Sequence, residues 1–546
     1  MSTSSILALI GILLLAGAVS NKLSSKANMP ILLAFLAIGM TATSLGVVPA
    51  AAVMHGSVTR TINMFGTFAM CFILYSGGLN TRFASVRAVL LPASLLASVG
   101  VIVTALVLGV VCYLCQRYSG YSAGFAWCLL FGALVSSTDA AAVMSVLRNR
   151  NSGLKGRLQP LLEVESGSND PAAYLLTIIL LKIVQAGGAT PFWEVGLQLA
   201  GGVIWGLAMG ALTGFAFGIV GQWIYNASSR WKLLEYEGLY FVIGIAVVLL
   251  TFGLTETYLK ANGLMAVYVC GITMGNIRFN FKKALTQFND GISWLMQVSL
   301  FTALGFLVSP AELVRPATFT TGLMLAAILL FAARPLAVWL CLSGSEFSAR
   351  ERLLVSWVGL RGAAPIMLAT FPLAANIPHA RDIFNQVFFV VITSVLFQGS
   401  TLMPLARLLG LACPADERER APLELEVTMA GGDSEMFEFE VPPDAPFVGL
   451  TVAELGLPAE ALILLVRRDG RFFSPRGNAR IVAGDGLLII GPGEVMREVG
   501  RNFFPQADYH PARTLEDIRR SFPSLSSQLA LDSIAKVLHR HRKDRR

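Results

Sequence analysis

The chain has 546 residues, 55% of them hydrophobic and only 14% charged, and its formal net charge is +8. A soluble globule this apolar would be unusual, and uncharged runs longer than about 18 residues recur, the length that crosses a bilayer core. The excess of Lys and Arg is largely accounted for by membrane topology, so it gives no reason to expect a nucleic-acid partner; the expected partner is the lipid bilayer.

Thirteen windows read as membrane spans: 3–20, 29–49, 62–79, 88–115, 124–147, 158–186, 196–224, 238–256, 262–276, 291–309, 317–343, 352–375 and 385–410. Basic residues cluster after the odd-numbered windows (Lys22 and Lys26, Arg82 and Arg87, Arg148 to Arg157, Arg230 and Lys232, Arg278 to Lys283, Arg350 and Arg352) and are isolated after the even ones. Cytoplasmic loops collect Lys and Arg, so the N-terminus is expected outside and the C-terminus in the cytoplasm. The first window has no basic leader or small-residue cleavage site and reads as a retained helix. Cys112 and Cys115 match C-x-x-C only by letter, and a packing role is expected for them.

Asp139 is the first acidic residue; the 138 residues before it contain none. It falls near the centre of the fifth window, in Val135-Ser136-Ser137-Thr138-Asp139-Ala140-Ala141-Ala142-Val143. A charge at that depth costs roughly 2.5 to 3.5 kcal/mol on insertion scales, and such groups are kept to bind or move an ion or to hold a broken helix. Two readings stand for Asp139, a cap for the unwound partner helix and a direct ion ligand.

The sixth window carries Glu163-Val164-Glu165-Ser166-Gly167-Ser168-Asn169-Asp170-Pro171, with Asp170 near mid-depth. Ser166, four residues earlier, shares its helix face. Gly167 and Pro171 loosen the local backbone bonding, so carbonyls can face a cavity. Hard oxygens around one carboxylate suit a small monovalent cation. Glu163, one turn nearer the cytoplasm, reads as a funnel or surface charge.

Two basic residues lie deep in later windows, Arg334 in Ala333-Arg334-Pro335-Leu336 and Arg361 in Val358-Gly359-Leu360-Arg361-Gly362-Ala363-Ala364-Pro365. The Gly and Pro around Arg361 predict a helix broken at the midplane, a feature of inverted-repeat transporters. The offset from the Asp139 window fits two inverted copies with the fifth helix of each interrupted. No nucleophile, base and oxyanion set, P-loop or resident-metal pattern is present, so no enzyme and no cofactor are expected.

Composition shifts at Cys413-Pro414-Ala415-Asp416-Glu417-Arg418-Glu419-Arg420, a charged linker. Beyond it Met436 to Val441 alternates as a strand, Thr451-Val452-Ala453-Glu454 reads as a capping box opening a short helix, and Asp469-Gly470 reads as a hairpin turn. The chain thus divides into a membrane domain (1–412), a linker (413–421), a small α+β domain (422–502) and a basic cytoplasmic tail (503–546). The tail is either a solvated run or a contact for anionic headgroups.

The motifs at 137–143, 163–171 and 359–363 resemble the NhaP-type monovalent cation:proton antiporters, in particular the potassium/proton branch, over residues 1 to about 412. The part from Val448 to Leu455 with Arg467-Arg468-Asp469-Gly470 is similar to the TrkA-C (RCK-C) regulatory domain. The resemblance implies an all-α polytopic fold in two inverted repeats, a homodimer in a bacterial inner membrane, and a small cytoplasmic ligand at the TrkA-C domain. It implies that Asp170 binds cation or proton in turn, with Ser166 and the Thr138 region adding oxygens and Asn169 standing where electrogenic relatives carry a second Asp. Glu165 and Arg361 would form a buried structural ion pair. The implied activity is electroneutral exchange of potassium for protons; sodium:proton exchange is the alternative. A ligand-gated cation channel is the more distant one, since no Thr-Val-Gly-Tyr-Gly filter is present. Ala140 stands where many sodium members have Pro, which favours potassium.

Overall fold

The computed structural model describes most of residues 3–499; residues 27–30, 47–55, 119–123, 188–191, 231–237, 415–424, 427–433 and 500–546, with a few single and paired positions, lie outside the described residues. Two compact units emerge, Met1–Ala415 and Asp416–Arg546.

The first unit is helical. Its elements are α1 (Thr3–Lys26), α2 (Ile31–Ser44), α3 (Gly56–Asn80), α4 (Leu90–Leu95, a π stretch Leu96–Gly100, then Val101–Tyr118), α5 (Phe125–Leu134), α6 (Ala140–Asn149), α7 (Leu158–Gln185) and α8 (Phe192–Arg230). They continue as α9 (Leu239–Tyr258), α10 (Gly263–Asn276), α11 (Lys282–Phe306), α12 (Pro316–Cys341, with a π stretch Leu329–Ala333), α13 (Ala349–Trp357), α14 (Ala363–Ala374) and α15 (Ala380–Leu408). Six of these are long and apolar enough to cross a membrane unaided: Val58–Asn80, Leu90–Arg117, Glu194–Ser228, Leu239–Tyr258, Pro316–Cys341 and Ala380–Leu408. Every expected window carries helix, and the fifth and twelfth are each split in two. Trp205, Leu212, Phe215 and Trp223 on α8 keep more than half of their surface exposed, as side chains facing lipid would.

Helix contacts in lipid rely on small residues that let backbones approach. α8 shows this over four turns, with glycine at every fourth position from Gly202 to Gly218. The carbonyls of Asn262 and Ala266 on α10 stand where side chains at Gly210 and Gly214 would be, while Leu175 and Ile179 of α7 cover Gly206 and Gly202. One helix therefore braces both α10 and α7.

A two-stranded ribbon closes this unit: β1 (Ser152–Leu154), between α6 and α7, pairs antiparallel with β2 (Ala412–Pro414), just past α15. Lys155 extends it by donating its N–H to the Leu411 carbonyl at 2.9 Å.

The second unit is a five-stranded antiparallel sheet in the order β3 (Leu425–Glu426), β4 (Ser434–Glu440), β7 (Gly486–Pro492), β5 (Leu462–Arg468) and β6 (Arg471–Phe473). Phe439, Val466, Leu487 and Ile489 sit in its core. The strand expected at Met436 is present, whereas the Asp469-Gly470 turn, the 503–546 tail and most of the 413–421 linker lie outside the described residues. The Thr451 capping box forms, with Thr451 N–H to Glu454 Oε2 at 2.8 Å and Glu454 N–H to Thr451 Oγ1 at 3.3 Å. The expected helix does not follow, because Gly456 turns left-handed (φ 65°) and Pro458 comes two residues later, so the box closes one turn only.

Candidate ion site at two crossed helix breaks

Residues 135–139 separate α5 from α6, and residues 358–362 separate α13 from α14. The two unwound segments meet where the Asp139 N–H donates to the Leu360 carbonyl at 2.7 Å. The break at Arg361 is the one its Gly and Pro neighbours predict. The fifth window is interrupted, as the reading of two inverted copies expects, and Asp139, near its centre, lies at the break. Ser136, Ser137, Thr138 and Asp139 all offer side-chain bonds that compete with helical ones, and the crossing segment takes up the backbone groups that unwinding frees.

Charge is matched to helix polarity here. Arg361, 1% exposed, donates from Nη1 to the carbonyls of Ser136 and Ser137, each at 2.6 Å. A positive charge thus meets the carbonyl end of α5. The Arg361 N–H is held by Ser394 Oγ at 3.2 Å; that hydroxyl donates to Gln398, whose Nε2 returns to the Trp357 carbonyl at 2.7 Å. On the other side, Asp139 Oδ1 accepts the Ala142 N–H at 3.1 Å, the bond of an N-cap to the third residue of α6. A side chain at Gly362, which precedes α14, would overlap this carboxylate, so a negative charge sits at the start of both half-helices.

Asp170 projects from α7 toward this crossing. Its Oδ1 accepts a short hydrogen bond from Ser137 Oγ. Asn169 donates from Nδ2 to Thr138 Oγ1 at 2.5 Å, and its Oδ1 is buried without a partner. Ser166 is turned to the break: its hydroxyl donates to the Thr138 carbonyl at 3.0 Å and accepts the Ala140 N–H at 2.9 Å. Of the expected oxygens, Thr138, Asn169 and Asp170 come together, Ser166 braces them, and Asp139 caps. Ser137 is the contact that sequence reasoning passed over; its signal was the run of three hydroxyl residues before Asp139. Glu163, Ser166, Gly167 and Asp170 share one helical face, and each stays half-buried.

The Glu165–Arg361 pair is corrected. Glu165 Oε1 accepts from Arg334 Nη1 at 2.5 Å, and the two side chains are 1% and 4% exposed. Arg361 directs Nη1 to the carbonyls of Ser136 and Ser137 instead. Arg334 follows the π stretch of α12, where the extra residue per turn re-aims the side chains that come after it. Its Nη2 reaches the Val355 carbonyl at 3.4 Å, so the pair also fixes α13.

Among the described residues no group of three or more His, Cys, Asp or Glu could hold a metal ion, and the seven cysteines are free thiols.

Comparison with known proteins fits this geometry. The family profile "Sodium/hydrogen exchanger, transmembrane" matches residues 10–408, and the TrkA-C domain profile matches residues 436–503. The chain is 34% identical to "K(+)/H(+) antiporter NhaP" of Alkalimonas amylolytica, over 88% of this chain and 80% of that protein. It is 35% identical to "K(+)/H(+) antiporter NhaP2" of Shewanella oneidensis, over 91% and 83%. "Na(+)/H(+) antiporter NhaP" of Pseudomonas aeruginosa is 26% identical over 65% of this chain and 83% of that one. The solved structure of the sodium proton antiporter MjNhaP1 from Methanocaldococcus jannaschii superposes with a TM-score of 0.60 at 23% identity, covering 74% of this chain and all of that one, which speaks for the fold. Crossed helix breaks, a carboxylate beside them and these matches together place the chain in the sodium/hydrogen exchanger family, as an NhaP-type antiporter with a TrkA-C domain after its membrane part.

Proposed function

We propose that the protein exchanges potassium for protons, one for one, by alternating access at Asp170. The observation that carries this reading is Asp170, which reaches the crossing from α7 and is bonded to Ser137, with the uncharged Asn169 beside it and the Asp139 carboxylate engaged at the start of α6. Asn169 contributes an unspent buried carbonyl oxygen, which suits a dehydrated monovalent cation and bears no charge of its own. A proton and a cation then compete for one negative group, and each excludes the other. Competition of this kind gives obligatory, electroneutral exchange. Thr138 completes the oxygen set, Ser166 orients it, and Asp139 and Arg361 balance the helix ends so that the site's charge varies only with its cargo.

Potassium as cargo is supported by relatives at 34% and 35% identity that carry it in their names, against a sodium-named relative at 26%. The loop charges support an N-terminus outside and a C-terminus in the cytoplasm of a bacterial inner membrane. We take the protein to act as a homodimer, with residues 1–412 as transporter, 413–421 as linker, 422–502 as a regulatory domain for a small cytoplasmic ligand and 503–546 as a tail.

The test is proton flux in proteoliposomes holding a pH-sensitive dye, with potassium and sodium chloride compared side by side. Asp170→Asn should abolish salt-induced proton flux while leaving a folded protein, since it removes a lone buried charge. Persistent flux from that variant would remove Asp170 as the carrier, and a larger response to sodium would overturn potassium.

A further inference from the structure

The turn between α6 and α7 joins the helix capped by Asp139 to the helix that carries Asp170. It is tied down on two sides. Its Ser152, Gly153 and Leu154 stand opposite Pro414, Cys413 and Ala412 in the β1–β2 ribbon. Leu154 is buried in the core of the membrane unit, and Leu411 and Ala412 pack against that core. At the end of the turn, Arg157 donates from Nη1 to Glu346 Oε2 at 3.0 Å and lies over the Phe347 ring, in the bend between α12 and α13. One short turn is thus bonded to the segments that lead into both helix breaks, into α7 and out of α15.

Neither end of the ribbon has slack. α15 closes at Gly410, which is left-handed (φ 71°); its N–H donates to the Arg407 carbonyl at 3.0 Å, and the Leu411 N–H donates to the Ala406 carbonyl at 2.9 Å. This paired closure fixes the direction in which the chain leaves the helix. The Leu411 carbonyl then takes the Lys155 N–H, so the ribbon begins at the closure itself. On the other strand Gly156 (φ 61°) turns the chain straight into α7. Two short strands pair only marginally by themselves in water, so this pairing depends on the helices that hold its ends. After β2 the chain runs on to the second unit, which begins at Asp416.

We propose that the β1–β2 ribbon is the strut through which the soluble domain biases ion exchange, passing a pull on Pro414 to the turn between α6 and α7. The inference rests on the reading of residues 422–502 as regulatory. A domain at the end of the chain favours one membrane conformation only if something it holds differs between the two. The α6–α7 turn meets that need, because both helices that leave it end at the ion site.

The test compares the potassium concentration for half-maximal proton flux in proteoliposomes for the full chain, the chain ended after Ala415, and full-length Cys413→Pro. Lys155 and Leu411 form a bonded pair two positions along, so the register directs the 413 N–H to β1; proline removes that donor and leaves the domain attached. Ending the chain after Ala415 should shift half-saturation about fivefold, the low end of ordinary allosteric coupling. Cys413→Pro should show the shifted value at an unchanged maximal rate. Should truncation shift it while Cys413→Pro keeps the parent value, the ribbon carries no coupling and the proposal falls. Should truncation itself shift nothing, the regulatory reading falls and the ribbon's role with it. A second variant covers the case of a proline chain that does not fold. Gly153→Cys places a thiol directly opposite Cys413, at a spacing a disulfide spans. Oxidised, it should keep the parent flux and half-saturation, because a strut that stays paired loses nothing by being locked. Flux or half-saturation changed by oxidation and restored by reduction would show that the ribbon opens as it works, and would overturn the strut.

Discussion

Neutralising either member of the Arg334–Glu165 pair should be among the most damaging single changes outside the ion site, and the two changes should differ in size. Both side chains are essentially inaccessible, their bond is 2.5 Å long, and Glu165 Oε2 and Arg334 Nε have no other partner. Breaking a buried pair by removing one member costs about 3 to 5 kcal/mol, mostly for the charge left behind. Arg361 decides the asymmetry, since it stands within electrostatic range of both Arg334 and Glu165. Glu165→Gln leaves two buried guanidinium groups facing each other and should fall at the top of that range. Arg334→Gln leaves Glu165 near Arg361 and should fall at or below its bottom. The double variant has no orphaned charge and should recover much of the loss. Thermal melts of the four proteins in one detergent, at one scan rate, would read this as ranked midpoints. Additive losses would refute the pairing, and so would stronger coupling of Glu165 to Arg361 than to Arg334 in a parallel cycle.

Asp139→Ala removes the α6 cap and should lower stability by about 1 kcal/mol, whereas Asp139→Asn keeps an N-cap of similar rank and should melt close to the parent; equal melting of all three would remove the cap assignment. Truncation after Ala415 should preserve exchange but alter its dependence on internal pH or a cytoplasmic ligand, because a domain regulates only by favouring one membrane conformation. An unchanged pH profile and cation affinity would reduce the soluble domain to assembly or stability. Truncation after Leu411 should also lower the melting point, since it removes β2 from the ribbon.

Much of the architecture is legible in the sequence because lipid imposes long uncharged windows and charged loops, and these need no knowledge of partners. The break at Arg361 is legible for a local reason, the Gly and Pro beside it. The break at Asp139 has no such residue; it is imposed from outside, by Leu360 and Arg361 taking the backbone groups of residues 136–139. The partner of Glu165 is illegible for a related reason. Sequence gives the depth of Arg334 and Arg361 but not their azimuth, and a π stretch turns one of them toward α7. Asp170 stands out because its cost in lipid is large, whereas Ser137, an inexpensive hydroxyl, becomes visible only once the chain is folded.

The glycine row of α8 is one surface with two mechanical characters. At Gly210 and Gly214 the neighbour is peptide backbone of α10, which cannot yield, and the contact behaves as a weld. At Gly202 and Gly206 the neighbours are the methyl ends of Ile179 and Leu175 on α7, which turn about their own bonds and behave as a bearing. The α7 side of the row can therefore repack by side-chain rotation, whereas the α10 side cannot. A methyl group added at Gly214 should therefore push α8 from α10, while one added at Gly202 should be taken up by rotation of Ile179.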